Sequence, residues 1–192
     1  MKSYTKLISG LLIIMIATSC FNGAGLEADP KDAYQFKKDE CQAVVNRLIS
    51  SGDAVAAIGV AESSRRDIAE RKATIKGRTE LANSFEVKVD NLAKLFTEEI
   101  GSGGDVEINE LFSDAIKTVT SKNLKSSTIE TTKYVKETDS EGKVFYHCFV
   151  VMSIKANSIY ASFSDELKNK DTKTYERFRA SQAFDELEAE LK

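Results

Sequence analysis

The sequence contains few of the residues on which catalysis and metal binding depend. Only one of its 192 residues is a histidine, His147, and three are cysteines. His147 lies between Phe145 and Phe149 in an apolar segment, with no convergent partner evident from the sequence, so we expect a structural histidine. The motifs G-x-S-x-G, H-E-x-x-H and C-x-x-C are absent as well. The sequence therefore predicts no catalytic, cofactor-binding or metal-binding residues, and we expect that the protein is not an enzyme.

An excess of basic charge is also missing. Lysine and arginine number 27 against 30 aspartates and glutamates, a formal net charge of −3. No block of basic residues stands out along the chain. Because nucleic-acid binding depends on clustered lysine and arginine, this balance argues against nucleic acid as a partner.

Glycine-rich and charged stretches have simple structural interpretations. The segments Ser63-Ser64 and Gly101-Ser102-Gly103-Gly104 lack the lysine and serine spacing of a phosphate-binding loop, and the second is typical of a helix end. Glu98 and Glu99 are expected at the solvated end of the same helix. Arg65-Arg66 is expected at a solvated helix start, with contact to lipid head groups as the alternative.

The first 20 residues are typical of a secretory signal. Lys2 and Lys6 precede the apolar run Leu7–Ile16, which is too short to span a bilayer, and Ala17-Thr18-Ser19 supplies small residues before Cys20. This ending resembles a bacterial lipobox. The resemblance implies cleavage before Cys20, a diacylglycerol thioether on that cysteine and acylation of its amino group, for example with palmitate. The alternative is an ordinary signal peptide with a coincidental cysteine.

Lipidation would fix an otherwise soluble domain to a membrane, because several acyl chains make the attachment stable. No aspartate follows Cys20, and by analogy with enteric-type bacteria this implies the outer membrane. We therefore divide the chain into a lipoprotein signal peptide (1–19), a lipidated tether (20–32) and a single α+β domain (33–192). Loss of Lys2 and Lys6 with the signal would change the charge from −3 to −5.

The segment from Ala54 to Ile100 is the most informative part of the domain. AVAAIGVAES, residues 54–63, has the composition of a buried strand, and residues 66–100 have the length and spacing of an amphipathic helix. The predicted buried stripe begins with small residues and ends with large ones: Ala69, Ala73, Gly77, Leu81, Phe85, Val89, Leu92, Phe96 and Ile100. We expect this helix to cover one face of a sheet.

Helices and a hairpin are predicted in the rest of the chain. Residues 33–50, 106–124, 158–168 and 174–191 read as helices, the first contacting the domain through Tyr34, Phe36, Val44, Val45, Leu48 and Ile49. The second is expected to return across the sheet. Residues 128–138 alternate between polar and apolar side chains, and residues 144–156 form a mostly apolar run. With the turn Asp139–Lys143 between them, these segments predict a hairpin whose second strand lies inside the sheet. Cys41 and Cys148 either pair as a disulfide or remain buried thiols.

Three segments share a pattern with a known family. They are the strand with Gly59, the helix with Ala69, Ala73, Gly77 and Leu81 at four-residue steps, and the closing segment Val144–Met152. Together they resemble the Lpp-twenty family of bacterial outer-membrane lipoproteins, which has flagellar basal-disk relatives. The resemblance covers roughly residues 52–156. It implies a compact α+β fold, a small antiparallel sheet with a long helix across one face. The additional N- and C-terminal helices predicted at 33–50 and 158–191 lie outside the resemblance. The matching residues are packing residues, so they say little about activity.

Two functional hypotheses follow. The first is a non-catalytic structural or interaction module, anchored to the membrane through Cys20 in the periplasm or beyond it, that assembles with itself or with envelope proteins. The alternative is an envelope binding protein for a small lipid or glycan. An apolar pocket with convergent polar groups would favour the alternative, and a filled core with an exposed apolar edge would favour assembly.

Overall fold

The structure, a computed structural model, describes residues 30–101 and 105–189. In these residues the chain forms an α+β fold of six α-helices, a 3-10 turn and a three-stranded antiparallel sheet, which confirms the predicted fold class. The elements in chain order are α1 (Pro30–Ser50), β1 (Ala54–Ser63), α2 (Arg66–Ile100), α3 (Asp105–Asn123), the 3-10 turn Leu124–Ser126, β2 (Thr128–Thr138), β3 (Val144–Lys155), α4 (Ala156–Lys170), α5 (Thr172–Arg179) and α6 (Gln182–Ala189).

The sheet has the strand order β1-β3-β2, with both pairs antiparallel. The predicted hairpin is confirmed, and β3, the most apolar strand, lies in the centre. The Asp139 carboxylate closes the turn by accepting hydrogen bonds from the N–H groups of Glu141 and Lys143. Gly142 adopts φ 79° there, a conformation that glycine reaches without strain.

Helix α2 packs on one face of the sheet through its small residues. A Cβ atom added to Gly59 would lie 1.9 Å from the carbonyl oxygen of Ala73, and one added to Gly77 would lie 2.6 Å from Cγ of Met152. Ala69, Ala73 and Gly77 are all buried, as the sequence predicted. Small side chains are required here because the helix backbone approaches β1 directly.

Helix α1 packs on the opposite face of the sheet. Its buried residues Cys41 and Val45 share a core cluster with Ala56 of β1 and with Phe149 and Val151 of β3. The helix begins at Pro30, so the last three residues of the predicted tether belong to it. Two of the predicted contact residues, Phe36 and Ile49, are exposed instead, because they lie off the stripe that faces the sheet.

The second half of α2 packs with the helices that follow it. Its large residues meet α3, α4 and α5 around an aromatic cluster made up of Phe85, Phe96, Phe112, Phe163 and Phe178. The predicted apolar face of α3 is correct, with Phe112 fully buried. The expectation that α3 returns across the sheet is wrong, since α3 packs on α2 and α4. The aromatic side chains of α2 and α4 supply the surface that its apolar face needs.

The end of the chain is divided more finely than the sequence suggested. The predicted helix 174–191 is two short helices, α5 and α6, separated at Ala180 and Ser181. The Ser181 hydroxyl donates to the Phe178 carbonyl and accepts from the Phe184 N–H, so it ends one helix and starts the next. Strand β3 ends at Lys155, one residue before the predicted end, because Ala156 begins α4.

Candidate functional site

His147 lies at the end of the sheet where β1 ends, and side chains from three elements surround it. Its Nε2 atom is 2.8 Å from Oε2 of Glu137 on β2, and its Nδ1 atom is 3.6 Å from Oε2 of Glu62 on β1. The ring of Tyr34, from α1, meets the imidazole edge-on, with ring centroids 5.3 Å apart. The expectation that this histidine has no convergent partners is therefore wrong, since two carboxylates flank it.

The strand register explains this arrangement. Glu62 pairs directly with His147 across β1 and β3, and Glu137 lies two residues beyond Val135, the direct partner of His147 on β2. Residues on one face of neighbouring strands come together in this way. The hairpin alone, with its turn at residues 139–143, was a sufficient signal for Glu137. Glu62 required the pairing of β1 with β3, which the sequence did not supply.

The side chains around His147 fix the orientation of its imidazole ring. Both carboxylates are exposed, while the imidazole side chain is only 16% exposed and is held by Tyr34. Within residues 30–101 and 105–189, no hydroxyl or thiol is hydrogen-bonded to this histidine. The arrangement thus lacks a nucleophile in reach of the base, which a histidine-activated nucleophile would need.

A second polar group lies on the α2 face of the sheet. The Tyr134 hydroxyl donates a 2.6 Å hydrogen bond to Oε2 of Glu70, and the Arg66 guanidinium lies 3.9 Å from the centre of the Tyr134 ring. Burial, together with the hydrogen bond to Glu70, raises the pKa of Tyr134 to about 12. Burial beneath this group raises the pKa of the Cys148 thiol to about 11. Both groups are therefore protonated near neutral pH. The hydrogen bond between Tyr134 and Glu70 ties α2 to β2.

Three hollows on the surface of the domain are large enough to consider as ligand sites. The first, which we call the β1 groove, has a largely apolar lining and a volume of about 190 Å³, and is lined by Ile49, Gly52, Ala54, Val55, Ala56, Ser84, Val87, Lys88, Asn91, Ala156 and Tyr160. A hollow of about 370 Å³ at the start of β2 holds Glu130, whose carboxylate accepts a hydrogen bond from the buried Ser153 hydroxyl. One of about 560 Å³ between α2, α3 and α5 is open and polar.

The residues singled out from the sequence are spread over the molecule. Cys20 lies outside the described residues. Cys41 and Cys148 are both free and buried, and they belong to the core clusters on opposite faces of the sheet, so they do not form a disulfide. Arg65 forms a bidentate ion pair with Asp67 beside the start of α2. Glu98 and Glu99 are both exposed at the end of α2, as expected, and the Glu99 carboxylate also accepts the Gln182 N–H at 2.9 Å.

Two further observations concern metals and membranes. Among the described residues no group of three or more histidine, cysteine, aspartate or glutamate side chains is arranged to hold a metal ion. In the same part of the chain no helix combines the length and the apolar character that a membrane crossing requires.

Comparisons of the chain with protein-family models, with curated proteins and with solved structures gave no match. The resemblance to the Lpp-twenty lipoproteins therefore stays a prediction, carried by the residues named above.

Proposed function

We propose that this protein is a bacterial outer-membrane lipoprotein, anchored through Cys20, whose α+β domain is a non-catalytic structural or interaction module of the cell envelope. The observation that carries the anchor is the order of features in the first 20 residues, a basic start, a short apolar run, three small residues and then cysteine. Acyl chains on Cys20 would keep the domain at the bilayer, since each buried methylene contributes about 0.8 kcal/mol.

The anchor would restrict how far the domain stands from the bilayer. Helix α1 begins at Pro30, and a chain reaches at most about 3.3–3.6 Å per residue. The ten steps from Cys20 to Pro30 therefore allow about 35 Å. Tyr34, in the first turns of α1, contacts His147, so under this proposal the tether joins the domain at the His147 end of the sheet.

The geometry of the domain supports an interaction role over ligand binding. The β1 groove, at about 190 Å³, is smaller than the roughly 300–1,000 Å³ typical of ligand pockets. The hollows of about 370 and 560 Å³ reach that size, but they are open to solvent and do not enclose a ligand. The core beneath it is filled, with Phe85, Phe96, Phe112 and Phe163 fully buried. The exposed apolar side chains Ile49 and Val87 lie at the rim of the groove, next to an edge of the sheet.

Lipidation is tested by growing bacteria that express the full chain with an alkyne fatty acid and then separating their membranes. We expect label on the wild-type protein and recovery in the outer-membrane fraction. A Cys20→Ala variant should lose the label, and a Cys41→Ala variant, the matched control, should keep it. An unlabelled wild-type protein, or equal labelling of the Cys20→Ala variant, would overturn the anchor.

The alternative, binding of a small lipid or glycan, is favoured by one observation, the apolar lining of the β1 groove. Native mass spectrometry of the protein purified from membranes tests it. A defined additional mass that is lost in a Val87→Asp variant, but kept in a Val106→Asp variant on the exposed side of α3, would support ligand binding. A wild-type mass that contains only the chain and its covalent acyl groups would argue against it.

A further inference from the structure

The two edges of the sheet differ in how they are protected against pairing. The β2 edge has a register irregularity between Ile129 and Thr131. It also carries charged side chains, such as those of Lys133, Lys136 and Glu137. Bulges and charges are the usual means by which proteins prevent an edge strand from pairing with another chain.

The β1 edge has none of these features over most of its length. Its ten residues pair with β3 in an unbroken register, and the segment from Ala54 to Ala61 contains no charged residue and no proline. Ile58 and Val60, on the α1 face, are only half-buried. A regular, apolar strand at a sheet edge presents a row of backbone donors and acceptors that another strand can use.

Charged residues near the two ends of β1 indicate which kind of strand could pair with its free edge. Glu62, near one end, has a side chain 68% exposed, and Lys155, on β3, pairs directly with Ala54 at the other end. A second β1 running antiparallel about Ile58 would bring its Glu62 opposite Ala54. Glu62 of the second copy, Ala54 and Lys155 would then lie in a row on one face, with a small methyl between the opposite charges. Asp53 lies just outside this paired span.

The β1 groove lies where such a strand would end. Ala54, Val55 and Ala56 line the groove, and Val87 and Ile49 at its rim are 60% and 49% exposed. In a pairing centred on Ile58, these three residues face Glu62, Ala61 and Val60 of the second copy. The end of the second strand would therefore cover the exposed apolar side chains at the rim.

We propose that β1 pairs antiparallel with β1 of a second copy of this chain, about a twofold axis at Ile58, to form a continuous six-stranded sheet. This inference rests on the interaction role proposed above and names its partner and its surface. The pairing is isologous, since each copy contributes the same strand and the same groove.

Cysteine cross-linking in membranes that contain the full chain tests the pairing. Residues directly opposite in an antiparallel pair have Cα atoms about 4.5–5.5 Å apart, which is within the range of a disulfide. An Ile58→Cys variant should form a dimer under mild oxidation that a reductant reverses. A Thr131→Cys variant, half-buried on the β2 edge, is the matched control and should stay monomeric.

Three results would overturn the proposal. The first is an Ile58→Cys chain that stays monomeric under oxidation, and the second is equal dimer formation by Thr131→Cys. The third is an Ile58→Cys product in which the cross-linked partner, identified by mass spectrometry, is a different protein. The unsubstituted chain gives the background, because its Cys41 and Cys148 thiols are buried.

A second measurement tests the pairing without a cross-link. Light scattering of the detergent-purified chain should give a dimeric protein mass for the wild type and a monomeric one for Ile58→Lys, because the twofold axis brings the two lysines together. Ile75→Lys, on the exposed side of α2, should stay dimeric. If Ile58→Lys has the circular dichroism of the wild type and remains a dimer, the proposal is wrong.

The anchor and the pairing fail separately. A Cys20→Ala chain that is released from membranes but still cross-links through residue 58 would leave the pairing intact. A labelled, membrane-bound chain without the cross-link would overturn the pairing and leave the anchor.

Discussion

Gly59 of β1 and Gly77 of α2 meet backbone to backbone where the helix crosses the sheet. A Cβ atom on Gly59 would lie 2.2 Å from the amide nitrogen of Gly77 and 1.9 Å from the carbonyl oxygen of Ala73. Real Cβ atoms do not come this close to backbone atoms, so the separation of α2 and β1 depends on the absence of a side chain at Gly59.

We expect Gly59→Ala to lower the free energy of unfolding by about 3 kcal/mol, at the upper end of the effect of overpacking a core. The added methyl meets backbone, which cannot move without shifting the helix. Gly77→Ala should cost less, about 1–2 kcal/mol, because its methyl meets Cγ of the buried Met152 side chain at 2.6 Å and the Gly59 nitrogen only at 3.3 Å, and because alanine favours the helix. Urea unfolding followed by circular dichroism measures both, and equal midpoints would contradict this packing.

Burial of Tyr134, together with its hydrogen bond to Glu70, should make stability depend on alkaline pH. The folded-state pKa of Tyr134, about 12, lies above its ordinary value of 10. The unfolded chain therefore loses this proton first, and the stability due to this group is fully present below pH 10 and is lost as pH rises through 12. We expect the melting temperature of the wild type to fall more steeply than that of Tyr134→Phe between pH 10 and 12. Parallel curves for the two proteins would contradict the assignment.

Both internal cysteines should react only after unfolding. Cys41 and Cys148 are fully buried, and burial raises the pKa of each thiol, so little reactive thiolate is accessible. We expect neither residue to react with a thiol reagent in the folded protein and both to react in denaturant without a reductant. A chain in which these two thiols are missing after unfolding would indicate a disulfide and contradict the structure.

Glu99 should hold α6 in place from the end of α2. Its carboxylate accepts the N–H of Gln182, the first residue of α6, and losing such a helix-start hydrogen bond typically costs about 0.5–2 kcal/mol. We expect Glu99→Ala to destabilise the domain by about 1 kcal/mol and to speed amide hydrogen exchange in residues 182–189. Glu98→Ala, at the exposed neighbouring position, is the control, and equal effects of the two variants would contradict this role.

Local patterns in the sequence predicted most of the secondary structure. The stripe from Ala69 to Phe96 and the Asp139–Lys143 turn gave α2 and the β2–β3 hairpin because each depends on residues close in sequence. The break in the last helix was missed, since the Ser181 side chain that produces it is equally compatible with a continuing helix.

Long-range contacts account for what the sequence did not predict. The position of α1 on the second face of the sheet depends on Cys41 and Val45 meeting Phe149, and the packing of α3 depends on Phe112 meeting Phe163 and Phe178. Apolar periodicity identifies a buried face but not the surface that it meets. Glu62 was missed as a partner of His147 for the same reason, because it comes from a strand more than 80 residues earlier in the chain. Glu137 lies in the predicted hairpin and could have been found from it.

The sheet order also determines when this molecule becomes foldable. Because β3 lies between the other two strands, β1 has no strand to pair with until residues 144–155 have been synthesised. Throughout synthesis of α2, α3 and β2, the segment AVAAIGVAES has no strand partner on either edge, and pairings over such sequence distances form slowly. A ribosome-stalled or proteolysed fragment that ends before Val144 would thus leave both hydrogen-bonding edges of β1 unpaired. We expect such fragments to be the aggregation-prone form of this chain.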